Sequence, residues 1–515
     1  MARRNGLALL GLMVAAMLGL VPVAPAQAAD GTWNTTTSGL LWSTSTNWLG
    51  GTVANGSGAT ADFNTLNIIA DTTVNLDSAR TIGNLIFGDT TASNGWILAN
   101  NGVAANILTL AGTTPTITVN ALASGKTATI TGVIAGSSGL TKAGVGTLIL
   151  NTATNTYTGA TNVNEGMLQI GKLESLPGAS VITIGPSGTL NLNVNNVTWT
   201  NAISGSGMLK VKGGTTNQTT KTGNINFFTG TLDIIGGGKV NIDTADRLPG
   251  AGALIRIQST GTLYFNFAGT PLINNIEMYG GATTEALGQL RVESNANVSG
   301  AITLKANTTV GTNISGTGTI SGNIGESVGP FGLTKLGAGT LYFTGINTYS
   351  GVTTITGGTL VVASAGSLPG WNLAGRYPVA SGASLVLGNS FSDSDIATML
   401  GTDNFVAGSN FGFDTSAGNR VYAVSQGGGD RHHEDRRQHA DPLRRQHLHR
   451  QDAHPGGHPE RLFAQLHHGR HLGSALREQP GRPDHRRRRH HRLRPRRQHG
   501  HAGLHRRRRN HRPRD

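Results

Sequence analysis

The sequence predicts an all-β fold, a right-handed parallel β-helix (β-solenoid), ending in a disordered basic C-terminal tail. Three observations predict it. Short alternating runs such as Leu148-Ile149-Leu150, Val181-Ile182-Thr183-Ile184 and Thr189-Leu190-Asn191-Leu192 recur through residues 30–429, with Gly, Asn or Ser close by. This is the pattern of strands and turns, and helical periodicity is nearly absent. Gly-x-Leu strand starts recur at Gly146, Gly166, Gly188, Gly207 and Gly230, in steps of 20, 22, 19 and 23. A step near 20 is too long for a hairpin and too short for a propeller blade. It suits one coil of a solenoid, which buries its inward side chains by stacking on its neighbours. Finally, Gly139 to Gly171 (GLTKAGVGTLILNTATNTYTGATNVNEGMLQIG) recurs at Gly332 to Val362 (GLTKLGAGTLYFTGINTYSGVTTITGGTLVV).

A string of β-sandwiches would also give short strands. The step near 20 and the absence of Asn-Gly and Asp-Gly turns after Gly102 favour the solenoid.

Taken in order, the chain opens with an export signal over 1–29. Arg3 and Arg4 precede an apolar run from Gly6 to Val23, and Ala26-Gln27-Ala28 is a small-residue cleavage site. Trp33, Trp42 and Trp48 follow; they read as a cover for the open first coil, with a carbohydrate-stacking site as the alternative. Asn55-Gly56, Asn94-Gly95 and Asn101-Gly102 predict hairpins ahead of the stack. Gly125-Lys126-Thr127 has the ending of a phosphate-binding loop, but Asn120 stands where that loop requires Gly, so turn and strand is the reading. Leu-Pro-Gly at 176–178, 248–250 and 368–370 is a turn that closes a repeat. Ser392 to Leu400 predicts one short helix, with Ser392 and Asp395 in a capping box.

Charge divides the chain in two. All 17 histidines lie at or beyond His432, and 24 of the 41 Lys and Arg lie in 431–515, every one of them Arg. The basic character therefore belongs to the tail and does not make the body a nucleic-acid binder. The tail has no Thr, Val, Ile, Tyr, Lys, Met or Trp, and is dominated by residues whose codons begin with C. Read one base out of register from Asp430, it can encode TVTTKTAGNTLTLSGANTYTGKTLIQAGT, a third copy of the long repeat. Residues 430–515 are thus expected to be out-of-frame translation beginning near Gly427-Gly428-Gly429. As translated, high net charge and few apolar residues predict disorder.

The two long repeats resemble the autotransporter-associated β-strand repeat, also called the passenger-associated transport repeat. Gly139-Leu140-Thr141-Lys142, Gly146-Thr147-Leu148, Asn155-Thr156-Tyr157-Thr158-Gly159 and Gly166-Met167-Leu168 carry the resemblance, matched by Gly332 through Leu360. The Trp-rich segment ending Asn47-Trp48-Leu49-Gly50-Gly51 is similar to the start of such proteins. The resemblance implies a bacterial secreted or surface protein with a β-helical passenger, whose repeats assist export and folding. It implies no catalytic residues. The chain departs from the autotransporter plan in having no C-terminal series of barrel strands, so outer-membrane contact is expected only through a translocator missing from it.

No Cys is present, and no His before His432, which removes disulfides, Ser-His and Cys-His nucleophiles and most zinc sites from the body. A polysaccharide lyase or hydrolase on a β-helix would need gathered carboxylates. Asp243 with Asp246 reads as a turn, and Asp393 with Asp395 as the helix start. The expectation is a non-catalytic, structural or adhesive surface passenger: no catalytic, cofactor-binding or metal residues, no cofactor, no nucleic-acid partner, surface glycans or other cell-surface components as partners, and a monomer. A carbohydrate-active β-helix enzyme is the alternative.

Overall fold

A computed structural model describes residues 28–416, apart from 152–153, 179, 195, 214–218, 282 and 284–285, together with the backbone of 461–465. The fold is a parallel β-solenoid of about 15 turns. Its register is the Gly-x-Leu step of the sequence. Thr147 pairs with Met167, Met167 with Thr189, Thr189 with Met208 and Met208 with Thr231, all in parallel. Each is the residue after one of the spaced glycines, so the glycine marks where every coil enters the same strand.

Alternation then decides the core. In a strand successive side chains point to opposite faces, so residues two apart share a side. Leu148, Leu168, Leu190, Leu209, Leu232, Ile255, Ile276, Ile302 and Ile324 stand in register, each directly above the last. Leu150, Ile170, Leu192, Val211, Ile234, Ile257, Met278 and Leu304 form a second column two residues on. Every one of these side chains is buried. At roughly 1.5–3 kcal/mol per buried aliphatic side chain, the columns are the main source of cohesion in a chain without disulfides. The residues between them face out, and there Lys210, Asp233, Arg256 and Glu277 follow one another with alternating sign. Arg256 and Glu277 join at 2.9 Å.

The early coils depart from the step near 20. Trp96 pairs with Ala128, and Asn84 with Thr116, 32 residues on in each case. The extra residues are loops, and Asn94-Gly95 and Asn101-Gly102 lie there; Asn55-Gly56 stands instead between Ala29 and Thr81, with Asn55 N donating to Ala29 O at 3.0 Å and Gly56 N to Thr81 O at 2.8 Å. The expected hairpins are therefore a correction. Asn94-Gly95 enters strand Trp96–Ala99, which pairs in parallel with Thr72–Asn75. Asn101-Gly102 turns with both residues at positive φ inside a loop that returns to the stack at Leu108–Leu110. Before the first repeat, antiparallel pairing among the described residues is limited to the single bridges Ala29–Asn55 and Trp33–Trp48.

Trp33, Trp42 and Trp48 are buried with Phe63, Phe87 and Trp96, their ring centroids 5.0 to 5.8 Å apart. Trp42 Nε1 donates to Ala54 O at 2.9 Å and Trp48 Nε1 to Trp42 O at 2.7 Å. The rings are core, with no face left for stacking on a sugar. The predicted helix is present at Asp393–Leu400: Ser392 Oγ accepts from Asp395 N at 3.2 Å, and Asp395 Oδ2 accepts from Ser392 N at 2.8 Å.

The export signal falls on residues of which 1–27 lie outside the described ones, and so does the tail apart from 461–465. That pentapeptide is a strand, antiparallel to Asn410–Asp414, where the sequence leads one to expect disorder.

Candidate functional site: the buried clamp of the two repeats

The long repeats hold the most unusual side chains in the protein. In Leu140-Thr141-Lys142 the lysine has the parity of the leucine, so the strand turns it inward; in Leu333-Thr334-Lys335 the same happens. Both lysines are fully buried. A buried ammonium is costly unless its three N–H groups are matched. Here they are. Lys142 Nζ donates to Ala143 O at 2.8 Å, Gly144 O at 2.6 Å and Glu165 O at 3.0 Å. Lys335 Nζ donates to Gly337 O, Gly339 O and Gly357 O, each at 2.8 Å. Each lysine thus gathers carbonyls from the corner following its own strand and from the same corner of the next coil. Burial pushes both amines down to about 8; at Lys142 the Glu165 carboxylate opposes this.

The corner needs glycine. Gly166 and Gly358 have φ of 65° and 60°, and a Cβ there would lie 2.4 Å from the carbonyl oxygens of Gly144 and Gly339. The carbonyls aimed at the ammonium come from these tightly stacked turns; of the six, Gly339 O also accepts from Thr359 N, at 3.0 Å.

Asparagine fixes the opposite side of the coil. Asn155 Oδ1 accepts from Ile134 N at 2.8 Å, and its Nδ2 donates to Ser175 O at 2.7 Å. Asn347 repeats both bonds, from Ile324 N at 2.8 Å and to Ser367 O at 2.8 Å. One side chain therefore ties the coil before to the coil after. Ser175 and Ser367 end the short 3-10 turns that lead into Leu-Pro-Gly. The Leu-Pro-Gly at 248–250 has its own holder: with its side-chain amide turned so that the nitrogen faces the turn, Asn226 donates to Ala245 O at 2.9 Å and Leu248 O at 2.7 Å. From the far side, Asn201 donates to Pro177 O and Asn274 to Gly250 O, each at 2.8 Å.

Tyrosine completes the clamp. Tyr157 OH and Thr161 Oγ1 are 2.8 Å apart, and Thr161 Oγ1 also meets Ser180 Oγ at 2.9 Å. Tyr349 OH lies 2.6 Å from Thr353 Oγ1. Burial pushes both phenols up, Tyr349 to about 12, so they stay neutral hydrogen-bonding groups.

The carboxylates singled out in the sequence stand in a turn and at a helix start. Asp243 is paired with Lys221 at 2.5 Å and Arg247 at 2.7 Å, while Asp246 stands in the turn Ala245–Arg247. Asp393 and Asp395 begin the helix. Lys126 pairs with Asp71 at 2.9 Å in the turn before strand Ala128–Ile130. Among the described residues, no three His, Cys, Asp or Glu side chains gather as metal ligands.

The clamp coincides with a known sequence family. The passenger-associated-transport-repeat model matches residues 140–170 and 333–362, which contain every lysine, asparagine, tyrosine and corner glycine of the two clamps. The chain is also similar to the adhesin BmaC autotransporter of Brucella suis biovar 1 (strain 1330), with 31% identity over 313 residues. That alignment covers 57% of this chain and 8% of the adhesin, so the chain spans a small part of its relative's length. No solved structure matches. Through two copies of the passenger-associated transport repeat, set in one β-solenoid, the chain is similar to autotransporter passenger proteins.

Proposed function

We propose that the protein is a non-catalytic secreted or cell-surface passenger with a structural or adhesive role, delivered through the export signal at 1–29. The observation that carries this reading is where the polar side chains of the repeats are spent. The lysines, asparagines and tyrosines that would supply chemistry on a surface bond instead to the backbone and hydroxyls of adjacent coils. Their work is to hold coil on coil, which suits a chain that must fold after export without disulfides. The adhesive part rests on the similarity to a protein named an adhesin. Its partners would be surface glycans or other cell-surface components.

The test uses the purified chain. Its binding to immobilised polysaccharides and intact cells is measured alongside the release of new reducing ends or unsaturated sugars. Binding without product supports a passenger adhesin. Product formation overturns it in favour of a carbohydrate-active enzyme.

A further inference from the structure

The last described coil shows how the stack would continue. One column runs from Thr340–Phe343 through Thr359–Val362 and Ser384–Leu387 to Asn410–Asp414. A second runs from Ile355 through Val379 to Phe405. Phe405, Phe411 and Phe413 meet edge to face on this coil, with centroids 5.4 Å apart. The next rung breaks the pattern. Arg461–Gln465 lies antiparallel on Asn410–Asp414, whereas all the other pairs of strands described are parallel. A solenoid extends by coils that run the same way.

The tail contains such a coil in a different reading frame. When the bases are read one position late from Asp430, each pair of neighbouring residues leaves only a few amino acids open. Glu434 followed by Asp435 allows Lys or Arg, and Gln446 followed by His447 allows Asn or Ser. Within these limits, the codons that start in Glu434, Ala440, Gln446, Leu448, Arg450 and Gly457 can read lysine, leucine, asparagine, tyrosine, glycine and glycine. Their intervals are those of Lys335, Leu341, Asn347, Tyr349, Gly351 and Gly358, residue for residue. These are the groups of a clamp coil: the ammonium, the column leucine, the asparagine tie, the phenol, the glycine whose backbone closes on Phe331 and Gly332 (Gly351 in the second repeat), and the corner glycine. A chance overlap would have no reason to preserve that set at those spacings.

We infer that the reading frame slips near Gly427-Gly428-Gly429, and that the shifted frame encodes a third clamp coil whose seat is the edge of Asn410–Asp414. Its Thr-Leu-Thr-Leu strand continues the column Leu360, Leu385, Phe411, and its first strand follows Ile355, Val379 and Phe405.

Two measurements test this. Resequencing the gene should show the shifted frame open from codon 430 through codon 458, with lysine, asparagine and tyrosine at the three positions named. A stop codon, or arginine and serine there, would overturn the inference. The full chain with the frame restored ahead of codon 430 is then compared with the present chain by hydrogen exchange. Amides of 410–414 should exchange at least tenfold more slowly in the restored chain; equal or faster exchange would show that no coil docks on that edge.

Discussion

In the first repeat, the strand that receives the asparagine tie is Ile134–Ala135, part of a small sheet with Arg80–Ile82 and Leu108–Leu110. In the second repeat it is Ile324–Glu326, the far end of the long column that passes through Leu148, in the Gly-Thr-Leu strand of the first. The same sequence element has therefore moved round the coil by one strand between its two occurrences. The strands differ as well. Thr161–Ile170 runs unbroken through the corner, whereas Thr353–Ile355 and Thr359–Val362 are separate and belong to different sheets. The lysine, asparagine and tyrosine bonds survive these changes. The clamp is thus a local unit, specified by its own residues and the adjacent coils, and indifferent to the face it occupies.

The largest effect should come from the lysines. Lys142→Met leaves three inward carbonyls without their donor and Lys335→Met leaves two, since Gly339 O keeps the Thr359 amide, at about 1–3 kcal/mol each. Relief from burying a charge offsets part of this. A net loss of about 2–4 kcal/mol is expected in each repeat, read as faster hydrogen exchange confined to that coil and its neighbours. A loss in only one repeat would break the equivalence. Next come Asn155→Ala and Asn347→Ala, each expected to cost about 1–3 kcal/mol in chemical denaturation, because each leaves a buried N–H and a buried carbonyl unpaired.

The pH dependence should also be shared. Both lysines are held near 8 in the fold, below their value in the unfolded chain. The unfolded state therefore binds more protons between about 8 and 10.4, and stability rises with pH across that window. The penalty is fully present below 8. The Lys142→Met and Lys335→Met double variant should lose this rise in denaturation curves taken at successive pH values. The smallest effect is expected from the tyrosines. Tyr157→Phe leaves Thr161 bonded to Ser180, while Tyr349→Phe removes the hydroxyl that faces Thr353. Losses of about 0.5–1.5 kcal/mol are expected, larger at Tyr349; equal melting shifts would count against this distinction.

Much of the fold was legible because glycine recurs at one corner of each coil. From Gly146 to Gly230 the spacing alone states the pairing register. The early coils were less legible, because their loops dilute the step and carry Asn-Gly turns that also serve hairpins. The clamp was present in the letters but easily passed over. Lys142 shares the parity of Leu140, so alternation already places it inside, yet a lysine is ordinarily taken for surface. What the letters could not give is the corner that receives it, since Ala143 and Glu165 contribute backbone oxygens, which any residue carries. The asparagines are hidden for a like reason: their partners are main-chain atoms of coils about 20 residues away.

The most direct test of a shared clamp is the titration of the lysine side chains by NMR in the folded chain, with Lys142→Met and Lys335→Met assigning the two signals. Two ε-ammonium groups titrating together near 8, apart from the remaining lysines, would agree with one clamp on two faces. Titration of either at the ordinary value of about 10.4 would contradict it.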